Sequence, residues 1–99
     1  MNNKQYELMI SIMQLEELMA KSELIDYNSE QLTIQYNGDI YEIYFDHNRL
    51  VKTPGYQILI SNISNIEFGD EEGETILMYV TQDEKEYEFG IYKKEWWRN

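Results

Sequence analysis

Carboxylates are the chemical groups with the most regular spacing in this sequence. Glu84, Glu86 and Glu88, here called the acidic row, alternate near the C-terminus. In a β-strand, alternate side chains point the same way and stand about 7 Å apart. Such a row suits a basic protein surface, although it also serves to keep an edge strand soluble. Tyr79 is expected beside Glu88, where its ring would anchor a contact with a partner.

A second acidic cluster is the run Asp70-Glu71-Glu72-Gly73-Glu74, which we expect to lie near the acidic row and Asp83. Its spacing lacks the alternating Asp/Asn pattern of a calcium loop, so a solvated turn is the ordinary interpretation and no metal site is predicted. The candidate partner-binding carboxylates are Glu84, Glu86, Glu88, Asp70, Glu71, Glu72 and Glu74.

Nucleophilic catalysis finds little support among the residue types present. Cysteine is absent, and His47 is the single histidine, so it would have to be the base of any Ser–His pair. It stands in the polar turn Asp46-His47-Asn48-Arg49, where a structural or neutral role is the ordinary one. The five glycines are isolated and form no phosphate-binding loop. We expect a protein that is not an enzyme and that holds no cofactor or metal.

The net charge narrows the class of partner. The 99 residues hold 19 acids against 8 lysines and arginines, which gives a formal charge of −11 spread along the chain. A surface of this sign repels nucleic acid and anionic membranes and attracts basic proteins. The expected partner is a basic protein, such as a nucleic-acid-binding enzyme or effector, with no direct nucleic-acid or membrane binding. The lack of cysteine, of a signal peptide and of a membrane-length apolar run favours the cytoplasm.

The apolar periodicity of residues 4–23 predicts one amphipathic helix. The residues expected to face the core share one side of it: Leu8, Ile12, Leu15 and Met19. A second apolar strip lies on another side and holds Tyr6, Met9, Ile10 and Met13. Two interpretations stay open for this strip. Either sheet and loops cover it, or Tyr6, Met9 and Met13 form a dimer or partner surface, because methionine adapts to varied partners.

A hairpin is predicted where the apolar period changes to two. Gln31–Tyr36 and Asp39–Phe45 flank Asn37-Gly38, and a type I′ turn favours this pair because both central residues need positive φ. Around that turn, Ile34 pairs with Tyr41, which gathers the apolar side chains of both strands on one face.

A second hairpin ends the predicted sheet, with Thr75–Thr81 and Lys85–Tyr92 on either side of Asp83-Glu84, so that Ile76 faces Ile91. Shorter strands are expected at Leu50–Lys52, Tyr56–Ser61 and Ile63–Phe68. The predicted fold is α+β and forms a single domain over residues 1–99. One N-terminal amphipathic helix packs on a curled antiparallel β-meander of about five to six strands.

Two tryptophans stand near the end of the chain, at Trp96 and Trp97. One of them is expected either to close the end of the core or to form an exposed hot spot flanked by Lys94 and Arg98. Trp97 therefore joins Tyr79 among the candidate partner-binding residues.

Two segments, Ile60–Phe68 and Thr81–Phe89, resemble the central strands of bacterial PH-like domains. That family closes its barrel with a C-terminal helix, whereas the predicted helix here is N-terminal, so no binding residue is taken from it. In size and charge the chain is similar to small acidic inhibitors of phages and mobile elements, which include anti-CRISPR proteins and nucleic-acid mimics. It is also similar to the acidic immunity proteins that neutralise basic nuclease toxins.

These features together predict a small acidic, non-enzymatic binding protein of the inhibitor type. It would act against host defence by occupying a basic groove on its target, as a nucleic-acid mimic does. One alternative is an immunity protein that neutralises a basic toxin. Another is a PH-like or dimeric interaction module without an inhibitory role, and both monomer and homodimer are compatible with the sequence.

Overall fold

The computed structural model describes residues 3–94 of the chain. Over this range a helix is followed by antiparallel strands in the order α1 Asn3–Ala20, β1 Glu23–Tyr27, β2 Gln31–Tyr36, β3 Asp39–Asp46, β4 Arg49–Thr53, β5 Gln57–Ile60, β6 Asn65–Glu71, β7 Thr75–Gln82 and β8 Lys85–Lys93. The predicted α+β class is confirmed. The strand count is higher than expected, because the described part of the chain contains eight strands.

The strands form two sheets where one curled meander was expected. Strands β1 to β5 make the first sheet and β6 to β8 the second, and neighbours in sequence are neighbours in space. The first sheet ends at β5 and the second begins at β6, and in the connection between them Asn62 adopts a φ of 59°. The buried side chain of Gln82 donates a hydrogen bond of 3.1 Å to the Asn62 carbonyl. This turn conformation, held by a side chain distant in sequence, redirects the chain into a second sheet.

Strand β1 was not predicted, because the helix was expected to run to residue 23. The helix ends at Ala20, and the Ser22 hydroxyl donates a hydrogen bond of 2.7 Å to the Leu18 carbonyl. This bond satisfies one of the carbonyls that a helix C-terminus leaves open. Strand β1 then pairs with β2 through a bulge between Leu24 and Asp26, so it lacks the strict alternation that identifies a strand in sequence.

The hairpin of β2 and β3 has the predicted turn and register. Asn37 and Gly38 have φ values of 52° and 84°, and Ile34 lies opposite Tyr41. Leu32, Ile34 and Ile43 are completely buried. The turn residues and the apolar alternation specify the same register, which explains why this hairpin was predictable from sequence.

The last hairpin follows the predicted register only near its turn. Met78 lies opposite Phe89 as expected, but a bulge between Ile76 and Leu77 places Ile76 opposite Tyr92 instead of Ile91. Ile91 is nevertheless buried. The bulge inserts one residue into β8 and thereby shifts the pairing by one position.

The helix lies over the edges of both sheets. It contacts β5, at one edge of the first sheet, and β8, at one edge of the second, while β3 contacts β6 elsewhere. Its inner stripe, defined as Leu8, Ile12, Leu15 and Met19, is buried in a core cluster that also includes residues of both sheets. The hydrophobic core therefore joins all three layers, and the helix is the element that closes it.

Candidate functional site: a helix stripe and its groove

The acidic row lies along the last hairpin, with Glu86 and Glu88 exposed on β8 and Glu84 in the preceding turn. Tyr79 lies opposite Glu88, as predicted, and is also opposite Glu67 on its other side. The Tyr79 side chain is thus flanked by carboxylates from both neighbouring strands. Glu67 was missed in the sequence, because its position depends on the register of β6.

The second acidic cluster does not join the acidic row. The turn at residues 72–74 connects β6 to β7, whereas Asp83-Glu84 connects β7 to β8 at the other end of the same strand. The eight residues of β7 separate the two turns by about 25 Å at the usual rise of a strand. The expectation that these carboxylates are neighbours is wrong, because antiparallel hairpins place successive turns at opposite ends of a sheet.

Two acidic side chains of the second sheet, Asp70 and Asp83, form hydrogen bonds or ion pairs within the protein. Asp70 Oδ1 accepts a hydrogen bond of 2.9 Å from the Gly73 N–H, and Asp70 Oδ2 accepts one from the Tyr27 hydroxyl. The Tyr27 hydrogen bond, then the Gly73 N–H, and also the charge of Lys94 lower the pKa of Asp70. In the β7–β8 turn, Asp83 pairs with Lys4 at 3.3 Å. Glu71 and Glu72 are exposed, and Glu74 is half-buried.

His47 lies in the β3–β4 turn, and 83% of its side chain is exposed. Its Nδ1 lies 3.0 Å from Asp46 Oδ2, an oxygen that also accepts a 2.6 Å hydrogen bond from the Tyr56 hydroxyl. These bonds, that of Tyr56 first, lower the pKa of the Asp46 carboxyl. Among residues 3–94, no group of three histidine, aspartate or glutamate side chains is placed to hold a metal ion. Trp96 and Trp97 lie outside the described residues.

The second apolar strip of the helix is exposed, and we call it the outer stripe. Tyr6 is 61% exposed, Met9 41%, Ile10 38% and Met13 60%. At 3.6 residues per turn these four positions span an arc of about 100°, on the side away from the inner stripe. The interpretation in which sheet and loops cover the strip is wrong. The sequence could not decide this, because either apolar strip was suitable to face the core.

A groove between α1 and β5 continues the outer stripe. Near the start of the helix it is lined by Tyr6 and Ile10, and Ile58 faces them from β5. Ile58 is itself 45% exposed. Further along the helix the groove leads into a cavity of about 210 Å³, and Gln14 and Leu59 line both parts. The groove therefore connects the outer stripe with a more polar recess.

Lys52 lines that recess and is only 9% exposed. It lies opposite Ile43 in the first sheet, and its ammonium stands 3.8 Å from the centroid of the Tyr41 ring and 5.8 Å from that of Tyr36. Both rings attract the cation through their π faces. Lys52 was not identified from the sequence, although strand alternation predicts its position. Leu50 faces the core, and alternate residues of a strand point the same way, so residue 52 also faces the core.

Comparison with known proteins gives one family. Residues 1–88 match the model of the ComGF family, which is described as "Putative Competence protein ComGF". No curated protein and no solved structure matches the chain. Within residues 3–94, no helix combines the length and the apolarity needed to cross a membrane.

The family overturns the function expected from charge and size. An anti-CRISPR-like or other phage inhibitor that mimics nucleic acid is wrong, and so are the immunity-protein and PH-like alternatives, because the matching family is one of competence proteins. Net charge misled here because it describes a whole surface and carries no information on which part of it binds. Since the match extends over residues 1–88 of 99, the chain belongs to the ComGF family.

Proposed function

We propose that this protein is a non-catalytic, pseudopilin-type subunit of the competence machinery, and that it packs against another protein of that assembly through the outer stripe. The family match supports a role in competence. The observation that carries the proposal is the exposure of four large apolar side chains on one side of a helix whose other side fills the core. Contiguous apolar patches on a protein surface mark sites of interaction.

The spacing within the outer stripe supports a helical or grooved partner. Tyr6, Met9, Ile10 and Met13 stand at i, i+3, i+4 and i+7, which is the anchor spacing of an amphipathic helix that docks into an apolar groove. The two methionines suit such a contact because their flexible side chains adapt to the facing surface. Tyr6 adds an aromatic ring that is large and loses little conformational entropy on binding.

The charges beside the stripe are arranged as an interface rim. Lys4 and Lys21 lie near the two ends of the helix and are paired with Asp83 and Glu17 at 3.3 and 3.2 Å. Exposed pairs of this kind contribute little to stability. The outer stripe between these two ion pairs carries no charge. Protein interfaces have the same distribution, because charged residues are depleted at their centre and the rim is polar.

The decisive experiment replaces Met9 and Met13 together by glutamate in the organism that encodes the protein. We expect transformation by external DNA to fall by at least about tenfold, because carboxylates buried in the interface without a partner would weaken binding by at least that factor. Protein level and thermal midpoint should stay at the parental values, because both side chains point away from the core.

The matched control is Ile40→Glu, which places the same charge at a position 50% exposed on β3. It should transform within about twofold of the parent, since a surface substitution away from an interface changes little. Parental transformation by the Met9/Met13 variant, with protein present at the parental level, would overturn the proposal.

A further inference from the structure

Lys52 is a buried cation that has no acidic partner among residues 3–94 of this strongly acidic protein. The ion pairs of residues 3–94 join Lys4 to Asp83, Lys21 to Glu17 and His47 to Asp46. None of them includes Lys52, although the chain has 19 acids and only 8 lysines and arginines. Burying an ammonium is unfavourable unless it is paired and hydrogen-bonded. The Lys52 side chain is largely buried, but its ammonium nitrogen keeps some accessible surface, so it can bind a ligand that enters the recess.

The tyrosine rings compensate for this burial only in part. They attract the positive charge, but they offer no lone pair in line with the three N–H groups that a lysine ammonium carries. No hydrogen bond to Lys52 is formed by the other side chains of the described region. The donors of the ammonium are thus left for a molecule that enters the recess.

The recess has the size and lining for a small anion. Its volume of about 210 Å³ is several times the roughly 30 Å³ that one water occupies in the liquid. Gln14 and Gln57 line it together with Lys52 and Tyr36, so two side-chain amides share the recess with the ammonium. Apolar side chains from the helix and from β5, among them Leu15 and Leu59, form the rest of the wall.

We propose that this recess is a carboxylate-binding pocket that receives an acidic side chain of the protein docked on the outer stripe. The identity of the protein that supplies this side chain rests on the proposed function. The pocket itself is defined independently by Lys52, Tyr36 and the two glutamines that line it, with the Tyr41 ring against the Lys52 ammonium. A carboxylate carries one negative charge, which matches the single cation of the pocket. A phosphate dianion would leave excess negative charge in a protein whose net charge is −11.

The position of the pocket fits a side chain delivered by a docked segment. Gln14, Ile58 and Leu59 line both the recess and the wider part of the groove, where Tyr6 and Ile10 of the outer stripe lie. A partner that covers the stripe therefore passes the mouth of the recess. An acidic residue at that point would pair with Lys52 in a place largely withdrawn from water, where charge-assisted hydrogen bonds are strong and geometrically selective.

The pocket is tested first with acetate as the probe, on the purified protein labelled with ¹³C in lysine and tyrosine. Sodium acetate is titrated against sodium chloride at constant ionic strength while the Lys52 ε-methylene and Tyr41 ring signals are followed by NMR. We expect saturable shifts with a dissociation constant of about 10 to 100 mM, as one charge-assisted hydrogen bond supports. Lys52→Met, which keeps the aliphatic stem, should abolish the saturable shift of the Tyr41 ring.

Two further variants keep this test decisive. Lys52→Arg retains the charge and should keep the acetate response even if the methionine variant fails to fold. Lys93→Met removes an exposed lysine of β8 and should leave the response unchanged. Absence of saturation in the parent protein, or equal responses in the Lys52→Met and Lys93→Met proteins, would show that there is no carboxylate pocket.

Whether a partner protein supplies the acidic side chain is tested in the organism that encodes the protein. If a partner's acidic side chain fills the pocket, Lys52→Met should lower transformation by about tenfold, while Lys93→Met should not. Acetate binding in vitro combined with parental transformation by Lys52→Met would overturn the partner side chain as the ligand. Failure of the Met9/Met13 variant to affect transformation would instead remove the proposed function and leave the acetate result standing.

Discussion

The hydroxyl of Tyr27 in β1 donates a hydrogen bond to the carboxylate of Asp70 at the end of β6. These residues belong to different sheets, so the bond joins the first sheet to the second. Close by, the Phe68 N–H donates a 2.9 Å hydrogen bond to the Ser29 carbonyl. The two sheets are therefore held together by polar contacts at this side and by the helix over β5 and β8.

The link between Tyr27 and Asp70 predicts a dependence of stability on pH. The hydrogen bond from Tyr27 lowers the pKa of Asp70 below its usual 3.8, so the folded state binds the proton less tightly than the unfolded state does. The stabilising contribution is complete above pH 3.8 and is lost as the pH falls through the folded-state pKa. Tyr27→Phe should lower the thermal midpoint at pH 6 and reduce this part of the acid dependence.

Tyr56→Phe is the comparison for that measurement. It removes a similar hydrogen bond to Asp46, but Asp46 ends β3 and Tyr56 lies in the turn between β4 and β5, so this bond does not reach the second sheet. A loss that is larger for Tyr27→Phe than for Tyr56→Phe is expected, because only the former removes a bond between the two sheets. Identical acid unfolding of the parent and Tyr27→Phe proteins would contradict the assignment.

The β7–β8 turn predicts a stabilising substitution. Glu84 has a φ of 65°, a left-handed conformation that is unfavourable for residues with a side chain and that glycine adopts freely. Glu84→Gly should raise the free energy of unfolding by about 1 kcal/mol, measured by urea titration. Lys85→Gly, one residue later and within β8, should lower it by a similar amount because the strand conformation favours residues with a side chain.

Gly90 and Gly69, which both lie in strands of the second sheet, should respond differently to substitution by alanine. A Cβ at Gly90 would stand 3.2 Å from Thr75 Cγ2, whereas one at Gly69 would meet Tyr79 Cε2 at 3.5 Å, an ordinary contact. Gly90→Ala should therefore destabilise the protein by about 1 kcal/mol, and Gly69→Ala should be neutral or stabilising. Thr75→Ser removes the crowding methyl group, so adding it to Gly90→Ala should recover part of the loss in the same urea experiment.

The two stripes of the helix predict a contrast in stability. Leu15 is 1% exposed and Met13 60%. Leu15→Ala should lower the free energy of unfolding by about 2 to 5 kcal/mol, because it leaves a cavity in the core. Met13→Ala should change it by less than about 0.5 kcal/mol. Comparable losses at both positions would mean that the outer stripe is packed within the protein itself.

Local patterns in the sequence predicted the elements in which turn chemistry and apolar period agree. Asn37-Gly38 specified a hairpin and its register, and the inner stripe specified the buried side of the helix. The division into two sheets was not predictable, because it depends on Asn62 and on the contact that Gln82 makes with it. Strand alternation does not show where a sheet ends.

The sequence predicted which residues form the outer stripe, but it did not predict whether that stripe is exposed or buried. The apolar residues Tyr6, Met9 and Met13 were recognised as a second strip, but only the packing of the helix shows that they are exposed. Lys52 was missed, although its alternation with the buried Leu50 in β4 placed it on the side of the strand that faces the core. The acidic row stays a predicted partner surface, with Tyr79 between Glu67 and Glu88.

The helix that closes both sheets also carries the outer stripe, and this has a mechanical consequence. A partner that pulls along the helix axis would load the four inner-stripe side chains together, in shear, because all of them are buried in one cluster. A partner that lifts the helix away from β5 and β8 would separate them one after another. The docked subunit should therefore withstand tension along the helix far better than tension perpendicular to it.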